Sequence, residues 1–496
     1  MQSNPHLYEI NAQVFLRRLS ERYGRKLTLA TMPREEWRLI ADRGFNMVWL
    51  MGVWQRSQAA RQQALFNNDL RRWYDKVLPG WTDDDVGGSP YAVHSYTLDR
   101  SLGDEDDLGK VKARLNNQGL TLLLDFIPNH FAMDTPLLSS HSEWFVPGEK
   151  EGIDQHPERF FSPDGTTYFA HGRDPNFPPW TDTVQVNFFS RELRQSLIAE
   201  LLKIAEVADG VRCDMAMLAL NDVFERVWGK SVVGYTRPDA EFWSVAIRIV
   251  KEHYPGFIFL GETYWGLEHV LLDLGFDFVY DKGLYDRLRF ANAAGIRDYL
   301  AGSTTPLERT VHFVENHDEA RAVIAFDRER SLAAATVVAT VPGIRLCYDG
   351  QLEGKRVHLP VQLLREPEEV GDDEVPRFYQ KLLVISDAPA FCQGEWTLLP
   401  IQEAWESNNS HDDLLAWSWR YAKQLKVVAV NYAAHQSQGR LKLPVWLPHG
   451  TEVAYRDELT DVQYQGKSDE LSALGLYVDL GPWSAHIFDM DVAEVL

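Results

Sequence analysis

The sequence predicts an α/β fold: a (β/α)₈ barrel with a short inserted domain and a C-terminal antiparallel β-domain. Apolar, strand-like runs alternate with amphipathic helices over roughly the first 390 residues. These runs are apolar throughout, as expected for parallel strands that are buried on both faces. Four of them end in acidic, arginine or histidine residues. A doubly wound sheet is the alternative, but no glycine-rich phosphate loop follows the first run.

The elements of the barrel follow one another in regular order. Tyr8 begins the first expected strand, and Pro33 lies in the first turn of the first expected helix. The segment 56–73 is polar and predicts a helical excursion or a loop. The eight expected strands are 8–16, 46–53, 121–127, 210–214, 257–261, 276–280, 310–314 and 344–348. Expected helices include 33–43, 104–118, 191–207, 239–253, 331–340 and 375–386.

Two further regions complete the expected domain organisation. From 131 to 187 the periodicity fails and Pro, Gly, His and aromatic residues dominate, which indicates a functional loop or a small inserted domain. Beyond 389 helices are not expected, and short strands with turn residues between them predict an antiparallel β-domain. The expected strands there are 414–419, 425–431, 440–443, 452–457 and 485–489.

These patterns assign 1–130 and 188–388 to the barrel, 131–187 to the inserted domain and 389–496 to the C-terminal domain. We expect the last domain to cover the barrel, with Trp446 and Trp483 in its core.

Bulk composition limits the partners and the location of the protein. A net charge of -22 over 496 residues repels phosphate backbones, so we expect no nucleic-acid partner. No apolar run reaches the roughly 18 residues of a membrane span. The first residues lack a basic region and an apolar signal core. We therefore expect a cytoplasmic protein without membrane contact, while the sequence leaves the oligomeric state open.

The cysteines point to no cofactor or disulfide framework. Cys213, Cys347 and Cys392 are far apart, odd in number and in no metal-binding spacing. Reduced structural thiols are the expectation.

The segment 208–216 contains the first group of candidate functional residues. A short apolar strand here ends in Arg212 and Asp214, which alternate and therefore point the same way. This stretch alone fits a structural ion pair as well as a catalytic role.

Three other strands end in similar residues, and this favours a shared site. The active site of a (β/α)₈ barrel lies at the carboxyl ends of its strands. His130 follows the third strand, Glu262 the fifth, and His317 and Asp318 the seventh. Asp125 also lies at the end of the third strand, where we expect it to anchor backbone rather than to react. Individually, His130 could be a structural histidine and Asp318 a helix cap.

Clustered carboxylates suit one reaction in particular. Their pKa values separate, so one group can stay protonated while another is ionised. Cleavage of a glycosidic bond with retention needs this arrangement, with one carboxylate as nucleophile and the other as acid and then base. The competing hypothesis is a metal site, but the His-x-His of a two-metal barrel hydrolase is absent. We therefore predict no metal ligands and no cofactor.

The strand-end segments resemble the α-amylase family, glycoside hydrolase family 13. The family's four short conserved regions resemble 125–130, 210–214, the strand ending at Glu262, and 313–318, in the family's order. The resemblance covers essentially the whole chain, including a barrel A, a short domain B and a C-terminal β-domain. Further similarity lies in 88–93, 183–187 and 348–351.

The resemblance implies a role for each matching residue. Asp214 would be the nucleophile, held ionised by Arg212, and Glu262 would be the general acid and base. Asp318 would bind hydroxyl groups of the distorted sugar. The substrate-binding residues would be Tyr91, His130, Arg212 and His317, with Tyr91 stacking on the sugar ring.

Two departures from the family pattern bear on metal binding and specificity. Met217 and Leu218 stand where many α-amylases carry a Lys-His pair that helps to bind the leaving sugar and a structural calcium. The calcium site is therefore doubtful, although Asn129 remains where one ligand would be. The segment 184–187 matches neither common version of the family's fifth motif, so bond specificity stays open.

The resemblance implies a hydrolase of α-glucosidic bonds, α-1,4 bonds first, in malto-oligosaccharides or starch- and glycogen-type glucans. The alternative is a glucanotransferase or glucosyl transferase that acts on maltodextrin, sucrose or trehalose-type substrates through the same covalent intermediate. A non-catalytic relative is the alternative of a different class. Such relatives lose catalytic carboxylates, whereas all three are present here.

Overall fold

Eight parallel strands close into a barrel in the computed structural model, which describes residues 4–445 and 447–492. Each strand pairs with its neighbours in the chain, and the first strand pairs with the eighth. The strands are β1 His6–Asn11, β2 Met47–Met51, β3 Thr121–Phe126, β4 Gly210–Cys213, β5 Ile258–Gly261, β6 Phe278–Tyr280, β7 Thr310–His312 and β8 Ile344–Tyr348. This closed barrel confirms the predicted fold class.

Buried apolar side chains explain why these runs form a barrel. All five residues of β2 are buried, and so are Leu122, Leu123 and Leu124 of β3. Strands of this kind need cover on both faces, which the helices between them provide. The helices of the barrel region are Ala12–Tyr23, Arg34–Asp42, Gln58–Phe66, Asn68–Val77, Asp107–Asn116, Arg191–Val207, Asn221–Trp228, Phe242–His253, Glu268–Asp273, Lys282–Phe290, Ala293–Gly302, Ala322–Ala325, Arg328–Thr340 and Glu374–Ser386.

The prediction for the first strand was wrong in its extent. The strand ends at Asn11, and a helix begins at Ala12 where the sequence predicted strand up to Leu16. The side chain of Asn11 accepts a hydrogen bond from the Val14 backbone and caps this helix. The strand therefore stops because its last residue is a helix cap, although the apolar pattern continues.

The inserted segment folds as short hairpins and helical turns. His130–Ala132 pairs with Thr183–Gln185, and Phe160–Phe161 pairs with Phe169–Ala170. Two short helices, Leu137–Ser140 and Lys150–Gln155, lie between these hairpins. Because the first hairpin begins at His130, the insertion lies directly beside the carboxyl end of the barrel.

The C-terminal region forms two antiparallel sheets. One sheet has the order β9-β11-β12-β17-β14-β15, and the other has the order β10-β13-β16. The strands are β9 Glu395–Leu398, β10 Ile401–Glu403, β11 Leu414–Tyr421, β12 Gln424–Asn431, β13 Ser437–Leu441, β14 Glu452–Asp457, β15 Gln463–Lys467, β16 Leu476–Leu480 and β17 Ala485–Asp491. Strands β9, β10, β15 and β16 were not predicted from the sequence. Two helices also occur here, Pro389–Gln393 and Ser468–Leu474, where none was expected.

Polar contacts join this region to the barrel. Trp419 Nε1 donates to the Thr340 carbonyl at 2.6 Å, and the Tyr432 hydroxyl donates to the Leu288 carbonyl at 2.5 Å. Trp483 is half-buried against Tyr432, with ring centroids 5.3 Å apart, while Trp446 lies outside the described residues. Within those residues, no helix is both long enough and apolar enough to cross a membrane.

Candidate active site

A cavity of about 530 Å³ opens at the carboxyl end of the barrel. The strands β4, β5 and β7 bring Asp214, Glu262 and Asp318 into its lining. Tyr91, His130 and His317 line the same cavity, as do several aromatic and polar residues of the inserted segment: Asp174, Phe177, Trp180, Asp182 and Thr183. Six of the seven residues singled out in the sequence thus meet in one cavity, and Arg212 lies behind it.

Arg212 links two of the carboxylates. Its Nη1 lies 2.7 Å from Asp214 Oδ1, and its Nη2 lies 2.7 Å from Glu262 Oε2. The guanidinium is fully buried, with its Cζ 5.0 to 5.6 Å from the ring centroids of Trp49, Tyr91 and Tyr280. Cation–π contacts of this kind, together with two anionic partners, hold a buried guanidinium in its charged form. The Asp214–Arg212 pair is therefore part of a larger cluster and not an isolated structural pair.

The backbone beyond β4 fixes the two carboxylates relative to each other. The Asp214 N–H donates to the Phe126 carbonyl of β3 at 2.8 Å. Met215 follows in the left-handed region at φ 41° and ψ 46°, and its N–H donates to Glu262 Oε2 at 2.7 Å. Such a conformation costs a non-glycine residue about 1–2 kcal/mol. The strained turn directs a backbone donor at Glu262 and thereby joins the ends of β4 and β5.

The environment of Glu262 suits a proton donor. Burial raises the pKa of its carboxyl to about 7; Arg212 opposes the shift, and Asp214 and Asp318 reinforce it. The Tyr264 hydroxyl donates to Glu262 Oε1 at 2.7 Å. Tyr264 was not identified in the sequence, and no motif in the sequence indicates it.

Asp214 is also buried, and Arg212 is its main partner. Burial raises the pKa of the Asp214 carboxyl, while the attraction and the hydrogen bond of Arg212 lower it. With Nη1 of Arg212 at 2.7 Å, the geometry favours the ionised form, because a guanidinium stays charged at neutral pH.

His317 is a second buried cation in the site. Its Nδ1 lies 2.5 Å from Glu9 Oε1, and its Nε2 lies 3.1 Å from Asp318 Oδ2. Burial lowers the pKa of this imidazole, but the two carboxylates outweigh burial and raise it well above 6.5. Glu9 was missed because a single acid in an apolar strand carries no motif.

Asp318 is the most exposed of the three cavity carboxylates. Its side chain is 50% exposed, against 10% for Asp214 and 4% for Glu262. Desolvation by the cleft walls opposes its ionisation, but the charge and hydrogen bond of His317 outweigh this and lower its pKa to about 2. Asp318 is thus available as an anion that faces a ligand in the cavity.

Tyr91 and His130 both form part of the cavity wall. The Tyr91 ring stacks on His317 with centroids 5.3 Å apart, and its hydroxyl lies 2.7 Å from His317 Nε2. The ring of His130 lies 5.0 Å from that of Trp180, and burial lowers the pKa of His130 to about 4. A neutral imidazole beside an aromatic ring suits hydrogen bonding to an uncharged ligand.

Asp125 has the anchoring position expected from the sequence. Its Oδ1 accepts from Trp49 Nε1 at 3.1 Å, and its Oδ2 accepts from the Gly52 N–H at 2.8 Å. Gly52 has φ 75°, and a Cβ there would lie 2.9 Å from Pro90. Asp125 thus fixes the tight turn after β2 against the Tyr91 loop.

The surroundings of Asn129 do not fit a cation. Its Oδ1 accepts from Gln185 Nε2 at 3.0 Å, and the same amide nitrogen donates to the Asn129 carbonyl at 2.9 Å. Throughout residues 4–445 and 447–492, no group of three or more His, Cys, Asp or Glu side chains could hold a metal ion. Independence from metal and other cofactors stays a prediction.

The closed barrel and its clustered carboxylates define a class of protein: a (β/α)₈ barrel with a site of the glycosidase type. No protein-family model matches the chain. The chain is 24% identical over 288 residues to "Alpha-amylase MalA" of Haloarcula japonica. This match covers 54% of this chain and 37% of that protein.

The match to a transferase is longer. The chain is 25% identical over 439 residues to the α-1,4-glucan:maltose-1-phosphate maltosyltransferase of Rhodospirillum rubrum, which covers 82% of this chain and 54% of that protein. The chain therefore spans only about a third to a half of these curated relatives.

A solved structure matches over nearly the full length. The maltogenic α-amylase AmyB of Thermotoga neapolitana superposes with a TM-score of 0.70 at 19% identity, covering 99% of both chains. At this identity the likeness shows a shared fold. Together with the sequence relatives, it confirms the predicted resemblance to the α-amylase family, glycoside hydrolase family 13.

Proposed function

We propose that the protein is a retaining glycoside hydrolase that cleaves α-glucosidic bonds, α-1,4 bonds first, in malto-oligosaccharides or starch- and glycogen-type glucans. The observation that carries this proposal is the position of Asp214 and Glu262, which contact the two terminal nitrogens of one guanidinium at 2.7 Å each. Sharing one guanidinium keeps the carboxylates close, as the double displacement of retaining enzymes requires.

The two carboxylates differ in the way the reaction needs. Asp214, paired with Arg212, attacks the anomeric carbon as an anion and forms a glycosyl ester. Glu262, with a pKa raised to about 7 by burial, donates a proton to the leaving oxygen in the same step. It then takes a proton from water, and the hydroxide displaces Asp214 and releases the sugar.

The remaining residues of the cavity suit the sugar itself. Asp318 is an anion with an exposed face, and the neutral His130 offers a ring nitrogen. Both can hydrogen-bond sugar hydroxyl groups as positive charge develops on the ring. The aromatic residues Tyr91, Phe177 and Trp180 provide flat apolar surfaces for the sugar faces.

A transferase is the second candidate, and a particular observation favours it. The maltosyltransferase relative matches a larger share of this chain than the α-amylase relative does, 82% against 54%. Both reactions share the glycosyl ester, and they differ in whether water or a sugar hydroxyl displaces Asp214. A cytoplasmic location stays a prediction under either function.

A product profile tests the proposal. The purified protein is incubated with maltoheptaose, and products and reducing ends are followed over time. Only shorter products with rising reducing ends support the hydrolase, whereas products longer than the substrate with constant reducing ends support the transferase. Sucrose and trehalose are tested next if maltoheptaose is unchanged, and inertness toward all three would refute the proposed activity.

The same assay, run with and without a chelator, tests whether turnover depends on a metal ion. The Asn129 oxygens accept from Gln185 rather than face a vacant cation site. We therefore expect the same turnover with and without a chelator, and a loss that added calcium restores would contradict this expectation.

A further inference from the structure

We propose that Glu9 is a positioning residue for this reaction: it fixes a proton on Nδ1 of His317, so that Nε2 carries the second proton toward Asp318 and the bound sugar. The inference rests on the proposed function, because it assigns His317 a role in binding the substrate. Glu9 lies on β1, on which the sequence placed no functional residue.

The contact between Glu9 and His317 is short and fully buried. Glu9 Oε1 lies 2.5 Å from His317 Nδ1, and the two side chains are 0% and 1% exposed. The strand around Glu9 is fixed at the seam of the barrel, where the Glu9 carbonyl accepts from the Asp349 N–H at 2.9 Å. A carboxylate in this place cannot turn toward water and must act on the imidazole.

The two oxygens of the Glu9 carboxylate differ in their hydrogen bonding. Its Oε2 is buried and has no hydrogen-bond partner among the described residues. Glu315, an equally buried acid, is satisfied on both oxygens, by Arg321 Nη1 and by the Ala322 N–H, each at 2.6 Å. Leaving a buried carboxylate oxygen unpaired is unfavourable, and the contact with His317 is the one side-chain hydrogen bond that the described residues give the Glu9 carboxylate.

The contacts of Nε2, on the other side of the His317 ring, show the consequence of the Glu9 contact at Nδ1. His317 Nε2 faces the Tyr91 hydroxyl at 2.7 Å and Asp318 Oδ2 at 3.1 Å. In this arrangement Nδ1–H donates to Glu9, and Asp318 favours a proton on Nε2 as well. A sugar hydroxyl that enters beside Asp318 then meets a charged N–H donor in place of a bare ring nitrogen.

Several charges besides Glu9 act on this ring. The titratable and charged groups around it are Tyr91, Asp125 of β3, Arg212 of β4, Asp214, Asp318 and His358. His358 Nε2 donates to the His317 carbonyl at 2.9 Å. Arg212 opposes protonation and the acids favour it. Glu9 contacts Nδ1, whereas Asp318 contacts Nε2. A change at Glu9 therefore removes the charge beside Nδ1 and leaves the charge beside Nε2 in place.

The variant Glu9→Gln tests this assignment, because glutamine keeps the size and an oxygen acceptor but removes the charge. We expect the His317 pKa to fall by about one to three units. We also expect kcat on maltoheptaose to fall about 10- to 100-fold, as for loss of one charge-assisted hydrogen bond. Glu262 sets the alkaline limb of the rate near pH 7. This limb should move toward lower pH once the His317 pKa falls below that of Glu262, since the active form of His317 is the protonated one.

The pKa of His317 is measured by NMR on protein with isotope-labelled histidines, of which the chain has 15. The signal that disappears in the variant His317→Asn is assigned to His317. This readout does not depend on turnover. In the wild-type protein we expect His317 to remain protonated through neutral pH. A wild-type His317 that titrates near the ordinary 6.5 would overturn the inference without any variant, even if Glu9→Gln failed to fold.

A matched control comes from a second buried carboxylate–histidine pair. Asp281 Oδ2 lies 3.2 Å from His312 Nδ1, with both side chains at most 2% exposed, outside the lining of the catalytic cavity. Asp281→Asn should lower Tm and leave the pH profile and the His317 signal unchanged. If Glu9→Gln behaved in the same way, Glu9 would be structural and the inference would be wrong.

Failure of the proposed function gives a different result. A wild-type protein inert toward maltoheptaose, sucrose and trehalose would refute the activity, while the His317 titration would still report whether Glu9 holds the proton. An active wild type with an unshifted Glu9→Gln profile would instead refute only the role of Glu9.

Discussion

The two flanks of the cavity are both built around a cation between two carboxylates, but the cations differ. We call Arg212, Asp214 and Glu262 the Arg212 flank, and Glu9, His317 and Asp318 the His317 flank. Arg212 cannot lose its proton near neutral pH, whereas histidine can. On the Arg212 flank both cavity carboxylates are buried, whereas Asp318 is half exposed.

The difference between the flanks separates the pKa values of the acids. Burial outweighs the cation at Glu262 and raises its pKa to about 7. At Asp318 the adjacent imidazolium outweighs desolvation and lowers the pKa to about 2. One cavity therefore offers a proton donor, Glu262, and a permanent anion, Asp318, at the same pH, so that Asp318 can hold sugar hydroxyl groups while Glu262 donates its proton.

The largest effect is expected from Asp214→Asn on the Arg212 flank. The variant removes the proposed nucleophile, so turnover of maltoheptaose should fall by roughly 10⁴-fold or more. The fold should persist, because the asparagine oxygen can still accept from Arg212 Nη1, as Asp214 Oδ1 does at 2.7 Å. Activity and circular dichroism measure the two outcomes, and near wild-type activity would exclude Asp214 as nucleophile.

A smaller effect that depends on the substrate is expected from Glu262→Gln. Loss of a general acid costs about 10²- to 10⁴-fold on substrates with poor leaving groups, such as oligosaccharides. Activated aryl α-glucosides need little protonation and should form the glycosyl ester at a rate closer to that of the wild type. Burst kinetics compare the two substrates, and equal losses on both would argue against an acid role.

The pH profile of the unmodified protein tests the acid of the Arg212 flank. Glu262 must be protonated to act as an acid, and its pKa is raised to about 7. The value of kcat/KM on maltoheptaose should therefore fall above pH 7, by about tenfold per pH unit. Rates measured from pH 5 to 9 test this, and a rate that rises steadily through pH 8 would contradict it.

The smallest effect is expected from Tyr91→Phe on the His317 flank. Phenylalanine keeps the ring that stacks on His317 and removes the hydroxyl that lies 2.7 Å from Nε2. Loss of one hydrogen bond of about 0.5–1.5 kcal/mol corresponds to no more than about a tenfold loss in kcat/KM. Steady-state kinetics measure it, and a loss as large as that of Asp214→Asn would place Tyr91 in the chemical step.

The sequence predicted the barrel and most of the cavity because both follow from local patterns. Buried parallel strands read as apolar runs, and Arg212 and Asp214 stand at the end of one of them, β4. Glu9 could not be found in this way, because its partner His317 lies 308 residues further along the chain. Tyr264 lies only two residues beyond its partner Glu262. It was missed because nothing local distinguishes a tyrosine that binds Glu262 from one that fills the core.

The errors in the fold have equally physical causes. The sequence extended β1 to Leu16 because the apolar residues continue, but Asn11 caps a helix instead. The strands Gln463–Lys467 and Glu395–Leu398 were missed because none of their residues is buried, so they lack the apolar signal of a core strand. Pairing with neighbouring strands, which is not visible in the local sequence, fixes their structure.

The closure of β1 against β8 also sets the order in which the site can form during synthesis. Glu9 leaves the ribosome 308 residues before His317, a delay of roughly 15 to 60 s at about 5–20 residues per second. Through that interval β1 has an unpaired edge, and its inward carboxylate remains hydrated. Inward-pointing charges discourage wrong pairing at strand edges, so the same residue can protect the growing chain before it acts on His317.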